Sequence, residues 1–199
     1  MSKRYHHGDV RSAAVAVALA ITEDDGPDAV TMRAVAGKVG VDHRAIYRHF
    51  KDRDRLLAEV AVIGYRNLLQ EMEAADGEPG LVADFTVSIR FALARPHLYA
   101  LMLSRPREVL FDGAELEADV RAMLEHLMRS ARLALGEDVD SAECRDLVFS
   151  ALGTSYGLIS LASSMTLAPR TPEALEGFLT DQVSRVIEGQ VLRVTGGAK

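Results

Sequence analysis

The segment GVDHRAIYRHF, residues 40–50, gathers side chains that can bind an anionic surface. It contains two arginines, two histidines and a tyrosine, in a chain whose formal net charge is -6. Arginine can donate paired hydrogen bonds to phosphates or guanine edges, and tyrosine and histidine can contact phosphates. The segment is therefore either a solvated helix face or a surface that meets a polyanion such as DNA.

The distribution of charge favours the polyanion. Residues 31–55 contain seven Lys or Arg and three Asp or Glu. Residues 58–199 contain 13 Lys or Arg and 21 Asp or Glu. A small basic patch within an acidic chain indicates polyanion binding by one part of the chain only.

Two short helices are predicted to position this segment. Thr31 and Asp42 have the residue type and place of helix N-caps. Gly40, between them, can adopt a positive φ in a tight turn. Two helices joined by a glycine turn are typical of the helix-turn-helix. Ile46 and Phe50 lie four residues apart and can face the core, which leaves the cationic side chains on the opposite face.

The rest of the sequence also has helical periodicity. Further helices are predicted over residues 10–25, 53–75, 81–94, 97–104, 114–135, 141–165 and 172–192. We therefore expect an all-α protein, with a three-helix helix-turn-helix domain over residues 1–57 and a larger helical domain over residues 58–199.

Arg53 stands in the first turn of the helix that Asp52 is predicted to cap. The helix dipole disfavours a cation at this position, whereas the free N–H groups attract anions. We therefore expect a DNA phosphate at this helix start, beside Arg53.

The run TMRAVAGKVGVDHRAIYRHFKDRDRLL, residues 31–57, resembles the DNA-binding signature of the TetR family of transcriptional regulators. FALARPHLYALML, residues 91–103, is similar to a ligand-domain segment of that family. The resemblance implies a homodimeric regulator with a ligand-binding and dimerisation domain. It also implies repression of a double-stranded, palindromic DNA operator, relieved by an unknown small effector that is apolar or amphipathic.

The resemblance also implies DNA contacts for individual residues. His43, Arg44 and Ala45 are expected at base edges, with Arg33 reaching in from the preceding helix. Phosphate contacts are expected from Thr31, Tyr47, His49 and Arg53. Arg48 either contacts DNA or is simply solvated. The full predicted set is Thr31, Arg33, His43, Arg44, Ala45, Tyr47, Arg48, His49 and Arg53.

Apolar and aromatic residues of the larger domain are predicted to line an effector cavity, a prediction that depends on the resemblance. The alternative is that they are ordinary core residues. The predicted cavity residues are Phe85, Ile89, Leu98, Tyr99, Met102, Met123, Leu127, Phe149 and Tyr156.

The predicted helix over residues 172–192 carries an apolar stripe. The stripe either packs within one subunit or joins a four-helix bundle with a second copy, and we expect the second arrangement. Its members are Leu175, Phe178, Leu179, Val183, Val186, Ile187 and Val191.

An enzyme is the main competing interpretation. GTSYG, residues 153–157, fits the G-x-S-x-G nucleophile elbow, which needs a strand before Ser155 and a later histidine. All six histidines precede Ser155, and the stretch has helical spacing. No catalytic triad, phosphate loop or metal-ligand cluster is evident, so we predict no enzyme activity, cofactor or metal. The alternative function is a helical small-molecule-binding protein or enzyme whose basic patch is incidental.

The sequence also bears on location. No apolar run of ~20 residues is present, so no membrane span is expected. The N-terminus lacks the apolar region of a secretory signal, and the single cysteine, Cys144, cannot form an internal disulfide. We therefore expect a cytoplasmic protein.

Overall fold

The computed structural model describes residues 10–75, 79–104, 114–164 and 171–196. Within these ranges the chain forms nine α-helices, one 3₁₀ turn at Pro27–Ala29 and no strand, which confirms the all-α prediction. None of these helices is long and apolar enough to cross a membrane. The helices are α1 Val10–Asp25, α2 Met32–Val39, α3 His43–Tyr47, α4 Arg53–Ala74, α5 Leu81–Ala94, α6 Pro96–Ser104, α7 Ala114–Leu135, α8 Ser141–Ser164 and α9 Pro172–Gly196.

The boundaries of α2 and α3 follow the predicted caps. The Thr31 hydroxyl oxygen accepts a hydrogen bond from the Ala34 amide at 3.1 Å, and an Asp42 carboxylate oxygen accepts one from the Arg44 amide at 2.8 Å. Gly40 ends α2 with a φ of 79°, a left-handed conformation that glycine adopts without steric cost. The predicted helix-turn-helix is therefore confirmed in its local geometry.

The chain divides into two compact units. The first comprises Met1–Tyr65 and Arg95–Val120, and the second comprises Arg66–Ala94 and Arg121–Lys199. The first unit thus contains the predicted helix-turn-helix and also α6, which the sequence-based division assigned to the larger domain. The predicted boundary at residue 57 stays a prediction.

In the first unit, α6 packs against α1 and α4. Arg95 Nε lies 3.6 Å from a carboxylate oxygen of Glu23, at the end of α1. A side-chain carbon added to Gly64 would lie 2.6 Å from the Met102 sulfur, so the absence of a side chain at Gly64 lets α4 approach α6 closely. Met102 is 1% exposed and fills this contact.

Tyr65 gives the first unit a measurable alkaline transition. Its hydroxyl donates to the Met102 carbonyl oxygen at 3.0 Å. Burial, with a smaller contribution from Tyr99, raises the pKa of Tyr65 from 10.0 to about 12. Because the folded state holds this proton more tightly, the free energy of unfolding falls as the pH rises from 10 to about 12, by roughly 2–3 kcal/mol.

Tyr65→Phe should lack this fall because phenylalanine cannot ionise. Denaturant titrations of both proteins between about pH 9 and pH 12 measure the difference. The comparison cancels the other groups that ionise in this range. Parallel stability curves for the two proteins would contradict the assignment.

The core of the second unit lies between α5, α8 and α9. Leu179, Val183 and Ile187 on α9 are at most 2% exposed and face this core. The prediction that this part of the apolar stripe contacts a second copy is therefore wrong, because α9 needs it to pack on its own chain. Phe178, 42% exposed, lies on the opposite side of the helix.

Candidate nucleic-acid interface

Helix α3 presents a polar face that is open to solvent. His43, Arg44, Tyr47 and Arg48 are all exposed, with Tyr47 at 51%. The His43 ring meets the Tyr47 ring edge-on, with ring centroids 6.4 Å apart and an interplanar angle of 87°. This contact orders two neighbouring side chains that can donate hydrogen bonds to an anionic partner.

The opposite face of α3 fixes the helix to the first unit. Ile46 and Phe50 have no exposed surface, and the Phe50 amide donates to the Ile46 carbonyl oxygen at 3.0 Å. Ala45, predicted at a base edge, is only 8% exposed. Since Ala45 offers little surface, the polar face depends on its longer neighbours.

Two further exposed residues of the predicted set lie at the start of α2: its N-cap Thr31 and Arg33 in its first turn. The Thr31 oxygen accepts the capping hydrogen bond, so its O–H remains available to donate to a phosphate. Arg33, Arg44 and Arg48 make no side-chain ion pair within the part of the chain that the structure describes. Their guanidinium groups can therefore bind an external anion without first breaking an internal contact.

His49 is also exposed, directly before the buried Phe50. Its backbone amide donates to the Ile46 carbonyl oxygen at 2.9 Å, which leaves the imidazole outside the core. The structure thus brings eight of the nine predicted DNA-contacting residues to α2, α3 and the turn after it, and Arg53 is the remaining one.

Arg53 has partners within its own chain. Its Nε donates to the Val30 carbonyl oxygen at 2.7 Å and its Nη2 donates to the Pro27 carbonyl oxygen at 2.6 Å. The same Nη2 lies 3.5 Å from a carboxylate oxygen of Asp28, whose side chain is fully exposed. The guanidinium therefore ties the start of α4 to the 3₁₀ turn that precedes α2. These carbonyl oxygens explain a cation at the start of a helix without requiring a phosphate.

The nine predicted cavity residues are divided between the two compact units. Leu98, Tyr99 and Met102 are buried in the first unit, whereas Phe85, Ile89, Met123 and Leu127 are buried in the second. Phe149 and Tyr156 are 66% and 50% exposed on α8. Their side chains lie outside the core, so these two residues do not line an internal cavity as the sequence predicted.

An open pocket with a volume of about 400 Å³ lies on one face of α7. It contains none of the predicted cavity residues. The described residues that line it are Arg121, Leu124, Glu125, Met128, Arg129 and Arg132.

The sequence analysis missed a buried polar pair in the second unit. Asp84 on α5 is 5% exposed, and one of its carboxylate oxygens lies 2.8 Å from Nε2 of His126 on α7. The available signal was a single acidic residue between Leu81 and Phe85, on the apolar face of its helix. GTSYG lies inside α8, where no strand precedes Ser155, so the nucleophile-elbow geometry is excluded.

Two family models match the chain. The model described as bacterial regulatory proteins, tetR family, matches residues 14–60. The model described as tetracyclin repressor-like, C-terminal domain, matches residues 82–186. None of the curated proteins matches the chain significantly.

Solved structures share the fold over most of the chain. A protein of unknown function from Rhodococcus sp. RHA1 is 27% identical, with a TM-score of 0.69 over 94% of this chain and 98% of that one. A candidate regulatory protein, SCO4313, is 19% identical, with a TM-score of 0.63 over 87% and 94%. The TetR family transcriptional regulator PfmR from Thermus thermophilus is 18% identical, with a TM-score of 0.51 over 88% and 97%.

Proposed function

The chain belongs to the tetR family of bacterial regulatory proteins, and we propose that it acts as a homodimeric repressor released from a palindromic operator by a small effector. The observation that carries the DNA-binding part is the exposed cationic face of α3, fixed from behind by Ile46 and Phe50. A helix of this kind fits the major groove, where its first residues reach base edges.

The individual roles follow from what each side chain offers. His43 and Arg44 at the start of α3 read base edges, and Arg33 reaches the same region from α2. Tyr47 and Thr31 donate hydrogen bonds to phosphates, as does His49. Ala45 contributes at most a small apolar contact, and Arg48 adds positive charge at the end of the helix.

The homodimer is supported by exposed apolar side chains on two adjacent helices of the second unit. Phe149 and Tyr156 project from α8, and Phe178 and Leu192 project from α9. A side-chain carbon added at Gly153 would meet nothing within 4 Å, so its own chain does not require a glycine there. A second copy that packs on this face could approach α8 closely at Gly153, in a self-complementary two-fold interface.

Two-fold symmetry suits a palindromic operator, because each subunit reads one half-site about 34 Å from the other. An effector that prefers a different spacing of the two α3 helices weakens DNA binding by its differential affinity for the two states, typically about 1–3 kcal/mol. Helix α4 contributes residues to both compact units and is our candidate for the connecting element.

Selection of bound sequences from a random DNA pool tests this function directly. We expect a palindromic consensus. Arg44→Ala should then weaken binding to the consensus by about 1–3 kcal/mol and relax the preference at one position in each half-site. Gel shifts on consensus and scrambled DNA measure both effects, with the exposed Glu137→Gln of the second unit as a control.

Equal losses on consensus and scrambled DNA would show that Arg44 does not read a base. A pool that yields no enriched sequence would favour the alternative function, a small-molecule-binding protein whose cationic patch is incidental.

A further inference from the structure

Three buried polar atoms of the second unit have no hydrogen-bond partner among the described residues. They are the second carboxylate oxygen of Asp84, the Ser155 hydroxyl and the Thr180 hydroxyl. Their helices, α5, α8 and α9, pack against one another. An unpaired buried polar group destabilises the folded state, so three of them in one core require an explanation.

The two hydroxyls differ from other hydroxyls on helices of this chain. Thr22, Thr86 and Thr195 each donate to the carbonyl oxygen four residues earlier, at 2.8 Å. Ser155 and Thr180 do not make this bond, although Ser155 has no exposed surface. Both hydroxyls can therefore still donate or accept a hydrogen bond with another group.

Two ion pairs fix the relative direction of the three helices. Glu143, near the start of α8, pairs with Arg193, near the end of α9, at 3.5 Å, so these helices run antiparallel. Arg90, near the end of α5, pairs with Glu176, near the start of α9. Most buried residues of α5, including Asp84 and Phe85, precede Arg90, and those of α9 follow Glu176, so this pair of helices is antiparallel as well.

The same ion pairs place the unpaired atoms at one level of the core. Asp84 precedes Arg90 by six residues, about 9 Å along the axis, and Thr180 follows Glu176 by four, about 6 Å.

Ser155 occupies the same level when it is measured from the other end of α9. It follows Glu143 by twelve residues, about 18 Å, and Thr180 precedes Arg193 by thirteen, about 20 Å. The carboxylate and the two hydroxyls therefore lie within about one helical turn of each other along the bundle.

Apolar side chains surround this level. Phe85 and Ile89 accompany Asp84 on α5, and Met123 and Leu127 flank His126 on α7; all four are buried. One oxygen of Asp84 lies 2.8 Å from Nε2 of His126, and the other oxygen is buried with no hydrogen-bond partner among the described residues. The result is a polar layer of one carboxylate and two hydroxyls within an apolar core.

We propose that this polar layer binds the ammonium group of a primary amine, and that the effector is an amine with an apolar tail. A primary ammonium carries three N–H donors, which match the three acceptor oxygens of Asp84, Ser155 and Thr180. The negative charge of Asp84 favours a cation over a neutral or anionic head group. The apolar tail contacts Phe85, Ile89, Met123 and Leu127. The binding site follows from the buried side chains alone. The effector role of its ligand depends on the proposed regulatory function.

Three probes of equal length test the site by isothermal titration of the full-length protein. Hexylammonium should bind, 1-hexanol should bind more weakly, and hexanoate should not bind. Asp84→Asn should lower hexylammonium affinity about tenfold or more and narrow the difference between the amine and the alcohol. Asp146→Asn, which neutralises an exposed carboxylate of α8, is the matched control and should bind as the wild type does.

Ser155→Ala and Thr180→Val keep the proposal testable if Asp84→Asn folds poorly. Each removes one hydroxyl and should lower hexylammonium affinity about threefold to tenfold. Equal binding of the three probes, no binding of hexylammonium, or wild-type affinity in the layer variants would overturn the proposal.

A separate DNA-binding titration with hexylammonium distinguishes this site from the regulatory function. Asp84-dependent amine binding that leaves DNA affinity unchanged would support the site and reject the effector role.

Discussion

We expect Val183→Glu to leave most of the chain unfolded, whereas Phe149→Glu leaves it folded but monomeric. Val183 is 1% exposed and lies in the core of the second unit. A glutamate there would be an unpaired buried charge, which costs roughly 4–5 kcal/mol or more. Because domains are stable by only about 5–15 kcal/mol, one such change removes much or all of the stability.

Phe149→Glu has a different expected effect because Phe149 is 66% exposed. The charge would remain in water in a single chain, so the fold should survive. In the proposed dimer the glutamates of both copies would be buried, and the interface should fail. The monomer should also bind palindromic DNA much more weakly, because it can occupy only one half-site.

Circular dichroism and sedimentation velocity separate the two outcomes. Leu133→Glu, at a residue of α7 that is 62% exposed, is the matched control and should remain folded and dimeric. A soluble, folded Val183→Glu monomer would contradict the internal packing of α9. A dimer that survives Phe149→Glu would remove this face from the interface.

The contrast between Val183 and Phe178 shows what the sequence could not decide. Periodicity predicted an apolar stripe on this helix, and the structure confirms a helix over Pro172–Gly196. The stripe is wide enough to serve two surfaces, and periodicity alone cannot tell whether an apolar side chain packs on its own chain or on a second copy. That assignment needs the neighbouring helices, since α9 packs on α5 and α8 with Leu179 and Val183 buried and Phe178 exposed.

Local signals were more informative. The caps at Thr31, Asp42 and Asp52 make their expected hydrogen bonds, because a cap is determined by a residue and its three successors. The Asp84–His126 pair could not be predicted in the same way. Its two residues are 42 positions apart in the sequence. Considered separately, each is only a polar residue on an otherwise apolar helix face.

Arg53 is unusual in the sequence because it places a cation in the first turn of a helix, and the sequence alone explained this position incompletely. A cation in the first turn of a helix predicts a nearby anionic group. From the sequence we expected this group to be a DNA phosphate. The structure provides carbonyl oxygens of the same chain, at Val30 and Pro27. Only the fold brings residues 23 and 26 positions away into contact.

We therefore expect Arg53→Ala to weaken DNA binding without changing its salt dependence. The side chain holds the turn that precedes α2, so its loss should let Thr31 and Arg33 move relative to α3. Loss of hydrogen bonds from a charged donor should also lower the free energy of unfolding, by roughly 1–3 kcal/mol. A direct phosphate contact would instead reduce the slope of log K against log salt by about 0.9.

Arg53→Lys is the decisive second variant. Lysine keeps the positive charge but lacks the planar guanidinium whose two nitrogens reach both carbonyl oxygens. If Arg53 acts through the turn, Arg53→Lys should lose much of the DNA affinity that Arg53→Ala loses. If Arg53 meets a phosphate, the lysine variant should retain most of the affinity and the full salt slope.

Operator titrations over a range of salt concentrations, paired with denaturant unfolding of each variant, measure these quantities. Arg48→Ala serves as the control for the loss of an exposed cation that makes no intrachain ion pair among the described residues. Since removal of a cation alone can lower affinity, the slope rather than the affinity decides the role. A slope reduced by about one phosphate in Arg53→Ala and restored in Arg53→Lys would show that the side chain leaves the Val30 and Pro27 carbonyls to bind DNA.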